Sequence, residues 1–356
     1  MLVLQKLSIT FGQTMGNKSV LITGACGQDG SYLAKVLLDN GFHVTGTCRK
    51  NSANYFWRLK QLGILNRVEL VDLHIGQSSE LNSLVADKKF DWIFHLAGDS
   101  FTADSFTHPY RTLNTNTHGT IEILESVRIN SQSTKVFLAG SSEIFQNETR
   151  FPILCNEESP ESPKSPYGVS QLANRYLARI YREAYRLFVV YGILFNHESP
   201  LRADYFVTQK IVKGLSDLRR GSLEPLILGN LEASKDFGDA RDFVRAFIAT
   251  IELDNPLDFV VATGKLTKVR EILKISAQMF GYEPIFIGDG LEEICIDDKS
   301  GQKIAQVSSK YFRQLENNPI TGDSTKLRRL TGWNPSYSIQ DTLVDMCSEN
   351  SARSLK

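Results

Sequence analysis

The chain has 356 residues, of which 42% are hydrophobic and 22% charged, the balance of an ordinary folded protein. Lysine plus arginine and aspartate plus glutamate both total 40, giving a formal net charge of zero. That excludes a global field for holding nucleic acid or an anionic membrane, so any anionic ligand must be held by local groups.

Residues 1–18 carry two lysines, Lys6 and Lys18, and a short mixed apolar run without a small-residue cleavage site. They are expected to form an arm outside the fold, with Met15 a second candidate start, and not a signal peptide. No apolar run approaches the ~20 residues that span a bilayer. The five cysteines (Cys26, Cys48, Cys155, Cys295 and Cys347) are scattered and form no C-x-x-C pair. They read as reduced thiols, with neither zinc nor a disulfide framework, and the expected location is the cytosol.

From Ser19 onward strand-like and helix-like segments alternate. Residues 20–23 form a short apolar strand. Residues 31–40 have helical spacing, with Leu33, Val36 and Leu37 on one face and Gly41 as the stop. Strands are predicted at 42–46, 67–71 and 92–96, a helix at 120–130, a fifth strand at 135–139, a long helix at 170–185 and a strand at 188–192. Such alternation implies βαβ units, that is, an α/β doubly wound parallel sheet of the Rossmann type. After about Phe195 the pattern loosens, with helices at 206–219 and 269–280 between turn clusters. The expected division is a nucleotide-binding domain over 19–195 carrying the catalytic residues, and a smaller substrate-binding lobe over 196–356, part of which returns to the sheet.

Gly24-Ala25-Cys26-Gly27-Gln28-Asp29-Gly30 follows the first strand and opens the first helix. Glycines let backbone approach a pyrophosphate, and a helix N-terminus offers free N–H groups and partial positive charge. Gly24, Gly27, Gln28, Asp29 and Gly30 are therefore predicted to cradle a dinucleotide. The second strand runs into Arg49, Lys50 and Ser52 and not into an acid, which favours a ribose 2′-phosphate, hence NADP. Asp72 and Leu73 are placed at the adenine, and Leu96, Ala97 and Ser100 beneath the cofactor.

The fifth strand leads into Gly140-Ser141-Ser142-Glu143, and Ser165-Pro166-Tyr167-Gly168 follows. This pairing is similar to that of short-chain dehydrogenases, where a serine or threonine and a tyrosine flank the reacting hydroxyl. Those enzymes place a lysine four residues after the tyrosine; here the residue is Gln171, which carries no charge. An unperturbed tyrosine has a pKa of about 10, and loss of a nearby cation removes the main force lowering it. On the residues alone three readings stay open: another group or proton relay sustains the chemistry, the chain is slow or silent, or the glutamine was introduced to trap a complex. Glu143 is the more telling group. A carboxylate there suits removal of a proton next to a carbonyl during elimination of water.

Gly24 to Leu33, Ser142-Glu143, Ser165 to Gly168 and above all Gly192 to Pro200 (GILFNHESP) resemble the GDP-mannose 4,6-dehydratase family, a likeness that runs from about Ser19 to Asp345. The resemblance implies NADP as cofactor, a GDP-sugar substrate, and a homodimer or homotetramer. It implies Ser141 in a threonine position, Glu143 as the C5 base and Tyr167 as the C4 base, with Gln171 in the place of the lysine. It adds His197 and Arg202 as cofactor supports. Ser100, Ser142, Glu143, Asn196, Lys210, Lys235 and Arg270 would meet the substrate. The chain departs from the family at Gln171, at Leu201 and Lys235 (both arginine positions) and at Asp99 (a glutamine position). The competing functions are a GDP-sugar C4 oxidoreductase or epimerase, and a weakly catalytic homologue that binds NADP and GDP-sugar. No metal is implied.

Overall fold

The computed structural model describes residues 17–48, 56–76, 80–149, 151–312 and 318–353. Strand β1 (Ser19–Thr23) leads through the glycine turn into α1 (Gln28–Asp39), and β2 (His43–Cys48), α2 (Trp57–Gln61) and β3 (Glu69–Asp72) follow. Next come α3 (Glu80–Lys88), β4 (Trp92–His95), α4 (Thr102–Thr107), α5 (Pro109–Leu113), a π turn over Asn114–His118 and α6 (Gly119–Asn130). β5 (Lys135–Ala139) ends in a 3-10 turn over Ser142–Ile144, before β6 (Ile153–Cys155), α7 (Pro166–Tyr185), β7 (Val189–Leu194) and β8 (Asn196–Glu198). The remainder comprises α8 (Val207–Arg219), β9 (Leu226–Leu228), β10 (Ser234–Asp239), α9 (Ala240–Ile251), β11 (Asp258–Val261), β12 (Leu266–Lys268) and α10 (Val269–Met279). Then follow β13 (Pro284–Ile287), β14 (Ile294–Asp297), β15 (Lys303–Val307), β16 (Ile320–Gly322), α11 (Thr325–Thr331) and α12 (Ile339–Arg353).

Seven strands form one sheet in the order β11-β7-β5-β4-β1-β2-β3, and every neighbouring pair in it is parallel. The order reverses between β1 and β4, the topological switch point at which such sheets open a crevice beyond their C-terminal edges. Burial on both faces explains the near-continuous apolar runs: Val20, Leu21 and Ile22, and Val136, Phe137 and Leu138, are all buried. α1 begins at Gln28, three residues before the spacing indicated, because the glycine turn itself is the helix start. β11 joins the sheet's edge, so the chain does return to it late.

A second apolar cluster gathers α8, α10 and α12 around Ile211, Val212, Leu215, Ile272, Leu273, Leu343 and Met346. The four-stranded sheet β13-β14-β15-β9 belongs to this region, and no strand prediction preceded it. Two small sheets join the halves. β8 pairs with β10, and β6 pairs in parallel with β16, Ile153 opposite Ile320. Among the described residues no helix is long and apolar enough to cross a membrane.

Candidate active site

Beyond the C-terminal edges of β1, β4 and β5 lies a cleft of about 1450 Å³. Its floor at one end is the turn after β1. Gly24 has φ +74°, and a Cβ there would lie 3.0 Å from the Ala97 backbone, while one at Gly30 would lie 2.3 Å from the Gly24 carbonyl. The turn closes this tightly only with glycine at both positions. Gly27, Gln28 and Asp29 line the cleft beside them, as do Leu73, Leu96, Ala97 and Ser100. Asp72 ends β3 opposite Cys48 and is exposed outside the lining. Arg49, Lys50 and Ser52 lie outside the described residues.

Hydrogen bonds tie this turn to β8 and the loop after it. Gln28 Nε2 donates to the His197 carbonyl at 3.1 Å, and Ser199 Oγ donates to Gln28 Oε1 at 2.7 Å. His197 Nε2 lies 2.9 Å from Asp29 Oδ2, and its Nδ1 lies 2.7 Å from the Phe195 carbonyl. Both partners are acceptors, an arrangement that favours the imidazolium, with both ring nitrogens donating. Burial opposes that charge, but the Asp29 carboxylate outweighs it and raises the His197 pKa. Asp29 is likewise held below the usual carboxylate range: burial pushes it up, and His197 and Arg202 pull it further down. Arg202 is packed 3.5 Å over the Phe206 ring, with Nε 3.2 Å from Glu198.

The catalytic candidates meet at the end of β5. Ser165 caps α7, accepting from Gly168 N at 3.0 Å. A Cβ on Gly168 would lie 2.5 Å from the Glu143 carbonyl, so the first turn of α7 packs against the 3-10 turn with nothing between. Tyr167, in that first turn, has the Ser141 side chain close enough to its hydroxyl to lower its pKa. Ser141 Oγ in turn accepts from Glu143 N at 3.2 Å. Ser142 and Glu143 also line the cleft. Burial pushes the Tyr167 hydroxyl up to about 12; the Ser141 side chain and Arg202 act against the rise, and the Glu143 charge adds to it. Gln171 lies one helical turn on, and its buried Oε1 has no hydrogen-bond partner among the described residues.

From the other lobe, Asn196 and Lys235 reach the same cleft, with Lys235 Nζ 3.8 Å from Glu143 Oε1. Lys210 and Arg270 do not line it. Lys210 Nζ lies 4.0 Å over the Tyr311 ring, and Arg270 pairs with Glu232 and Glu293. Several lining groups escaped the sequence reading. Asn116, in the π turn, accepts from Asp99 N at 2.8 Å and donates to Ser170 Oγ at 3.0 Å. Arg111 Nε donates to Asp99 Oδ2 at 2.8 Å, and Arg58 reaches both the Cys26 and Leu201 carbonyls. No short motif marks these three. The polar run Asn-Thr-Asn-Thr-His inside a helical stretch is the one sequence signal of the π turn.

The family model described as GDP-mannose 4,6 dehydratase matches residues 21–346. The chain belongs to the GDP-mannose 4,6-dehydratase family. A relative from Sinorhizobium fredii, named GDP-mannose 4,6-dehydratase, is 36% identical over 344 residues, covering 94% of this chain and 96% of its own. The Homo sapiens relative of that name is 34% identical, covering 92% and 89%. Among solved structures, dTDP-glucose 4,6-dehydratase from Bacillus anthracis in complex with NAD superposes with a TM-score of 0.78 at 15% identity, covering 95% of this chain and 98% of that one. UDP-glucose 4-epimerase from Thermotoga maritima gives 0.77 at 21%, covering 95% and 100%. At that distance the two structures establish the shared fold, and the family assignment stands on the sequence relatives.

Proposed function

We propose that this chain is a hydro-lyase that converts GDP-mannose, or a closely related GDP-sugar, to its 4-keto-6-deoxy product with NADP as cofactor. The observation that carries the reading is the convergence of Tyr167, Ser141 and Glu143 in one cleft beyond the switch point of the sheet. The tight glycine turn, the N-terminus of α1 and the unpartnered Gln171 Oε1 fit a dinucleotide laid across that switch point. The cofactor supplies hydride acceptance and return when bound.

The chain's own groups handle the protons. Tyr167, with the Ser141 side chain beside it, takes the C4 hydroxyl proton as C4 becomes a ketone. The ketone makes the C5 proton acidic, and the Glu143 carboxylate removes it. The C6 hydroxyl leaves with that proton as water. Tyr167 then returns its proton to C5 as C6 is reduced, so the sugar has lost one water in all. The 2′-phosphate assignment to Arg49, Lys50 and Ser52 rests on the basic end of β2, with Asp72 and Leu73 at the adenine. Asn196 and Lys235 serve the sugar nucleotide from within the cleft, with Lys210 and Arg270 assigned to its distal end through the family resemblance. Cofactor binding and catalysis belong to 19–195, and substrate binding mainly to 196–356.

A homo-oligomer goes with this reading. Val169, Tyr176 and Ile180 are exposed along one stripe of α7, and Tyr110 on the adjoining α5 is 83% exposed; an apolar face of this kind suits a second copy. Five buried cysteine thiols favour the cytosol. Incubation with GDP-mannose and NADP followed by mass spectrometry tests the activity: a product lighter by one water supports it, and a product of unchanged mass would favour an epimerase.

A further inference from the structure

Glu143 stands on a three-residue 3-10 turn. Its backbone is fixed, because its N–H donates to Ser141 Oγ and its carbonyl abuts Gly168. Its carboxylate is not fixed in the same way. The one charged group recorded beside it, among the described residues, is Lys235 at 3.8 Å, and both side chains are 37% exposed. A carboxylate on two rotatable carbons needs something to aim it, since proton abstraction depends on hydrogen-bond reach to the reacting atom.

Lys235 comes from the opposite wall, on β10, and its anchorage is firm. The next residue, Asp236, is 1% exposed. It accepts from Thr263 N at 3.0 Å, Gly264 N at 2.8 Å and Gly322 N at 3.3 Å, and from Thr263 Oγ1 at 2.5 Å. Lys235 itself pairs with Thr267 in the β10–β12 ladder. The ammonium is thus a mobile tip on a rigid base. An arginine fork would offer a planar, two-point grip, whereas an ammonium is a compact point charge. At a partly exposed site such a pair adds little to stability, so its value lies in orientation.

We propose that Lys235 is a positioning residue for Glu143, aiming the carboxylate across the cleft toward C5. This rests on Glu143 being the elimination base. It assigns Lys235 to the second half of the reaction: loss of water depends on it, and oxidation at C4 does not.

Single-turnover reactions of the full chain with NADP and saturating GDP-mannose, quenched and read by mass, separate the two halves. Lys235→Met should need more GDP-mannose for saturation and, once saturated, lose water about ten- to a hundredfold more slowly relative to its own C4 oxidation than wild type does, and Lys235→Arg should recover most of that loss. The inference is overturned if Lys235→Met loses water at the wild-type rate once saturated, which would make Lys235 a binding group alone. It is equally overturned if oxidation and water loss slow together, which would make its role structural. Glu143→Gln runs beside it. Full elimination in that variant would show that the assignment of the base has failed, whereas blocked elimination there with normal elimination in Lys235→Met would sink the positioning role alone.

Discussion

In the proposed reaction Tyr167 accepts a proton, while burial pushes its hydroxyl pKa up to about 12. A base works in its deprotonated form, so turnover limited by Tyr167 should climb about tenfold per pH unit below that value. Gln171→Lys places an ammonium one turn away, favours the phenolate and lowers the pKa. The expected result is faster C4 oxidation at pH 7 and a pH–rate profile that levels off earlier. A profile flat from neutral upward and untouched by the substitution would show that another group already carries the charge. Glu143→Gln should keep NADP binding and C4 oxidation while blocking loss of water, measured by mass. Arg49→Glu should weaken NADP more than NAD in equilibrium titrations; equal losses would remove the 2′-phosphate assignment. The meeting of Tyr167, Glu143 and the glycines of the turn in one cleft was legible because they occur in short runs of recognisable chemistry. Asn116, Arg111 and Arg58 were not, because each acts through a partner far away in the chain and no local spacing announces it.

The elements show where periodicity informs and where it fails. The fifth strand was read at its observed bounds because Val136, Phe137 and Leu138 are buried on both faces. The long helix was read from Ser170, yet α7 starts at Pro166. Its first turn is set by a serine cap and a proline at the first helical position, not by apolar spacing. That displacement matters, because it puts Tyr167 inside the helix and fixes its height above the cleft floor. Gly168→Ala should therefore cost activity out of proportion to its size. The added methyl would meet the Glu143 carbonyl at 2.5 Å and push α7 away from the 3-10 turn, parting Tyr167 from Ser141. We expect turnover to fall at least about tenfold with cofactor affinity little changed; equal retention of both would mean that the contact is slack. The sheet β13-β14-β15-β9 was missed for a related reason. Its strands are only three to five residues long, so alternation has little length in which to register.

Across the molecule, buried histidines tie stability to pH in opposite directions. His95 Nδ1 lies 2.8 Å from Thr23 Oγ1, which already accepts from Leu96 N and Ala97 N. The threonine proton must then go to the ring, leaving His95 neutral, and burial lowers its pKa to about 4. The unfolded chain binds that proton near pH 6.5, so the contribution of His95 is complete above 6.5 and lost as pH falls toward 4, by about 3 kcal/mol. His197, with its pKa raised, contributes fully below its unfolded value and loses that contribution as pH rises through the folded one. Denaturant melts at graded pH should show wild-type stability falling on the acid side, with a shallower slope in His95→Asn. An unchanged slope would place the acid sensitivity elsewhere.

Thr321 Oγ1 donates to the Ile153 carbonyl across 168 residues of chain, beside the β6–β16 pairing. The strand segment just past the catalytic turn is therefore completed by a stretch that is made 168 residues later. During synthesis the nucleotide-binding half can gather its own helices and strands early, but the rim of the cleft must wait for its distant partner. Contacts of such long sequence separation form late and slowly. A nascent chain paused short of Gly322 would hold Tyr167, Ser141 and Glu143 in an unfinished vessel, and activity would begin only after β16 has been made.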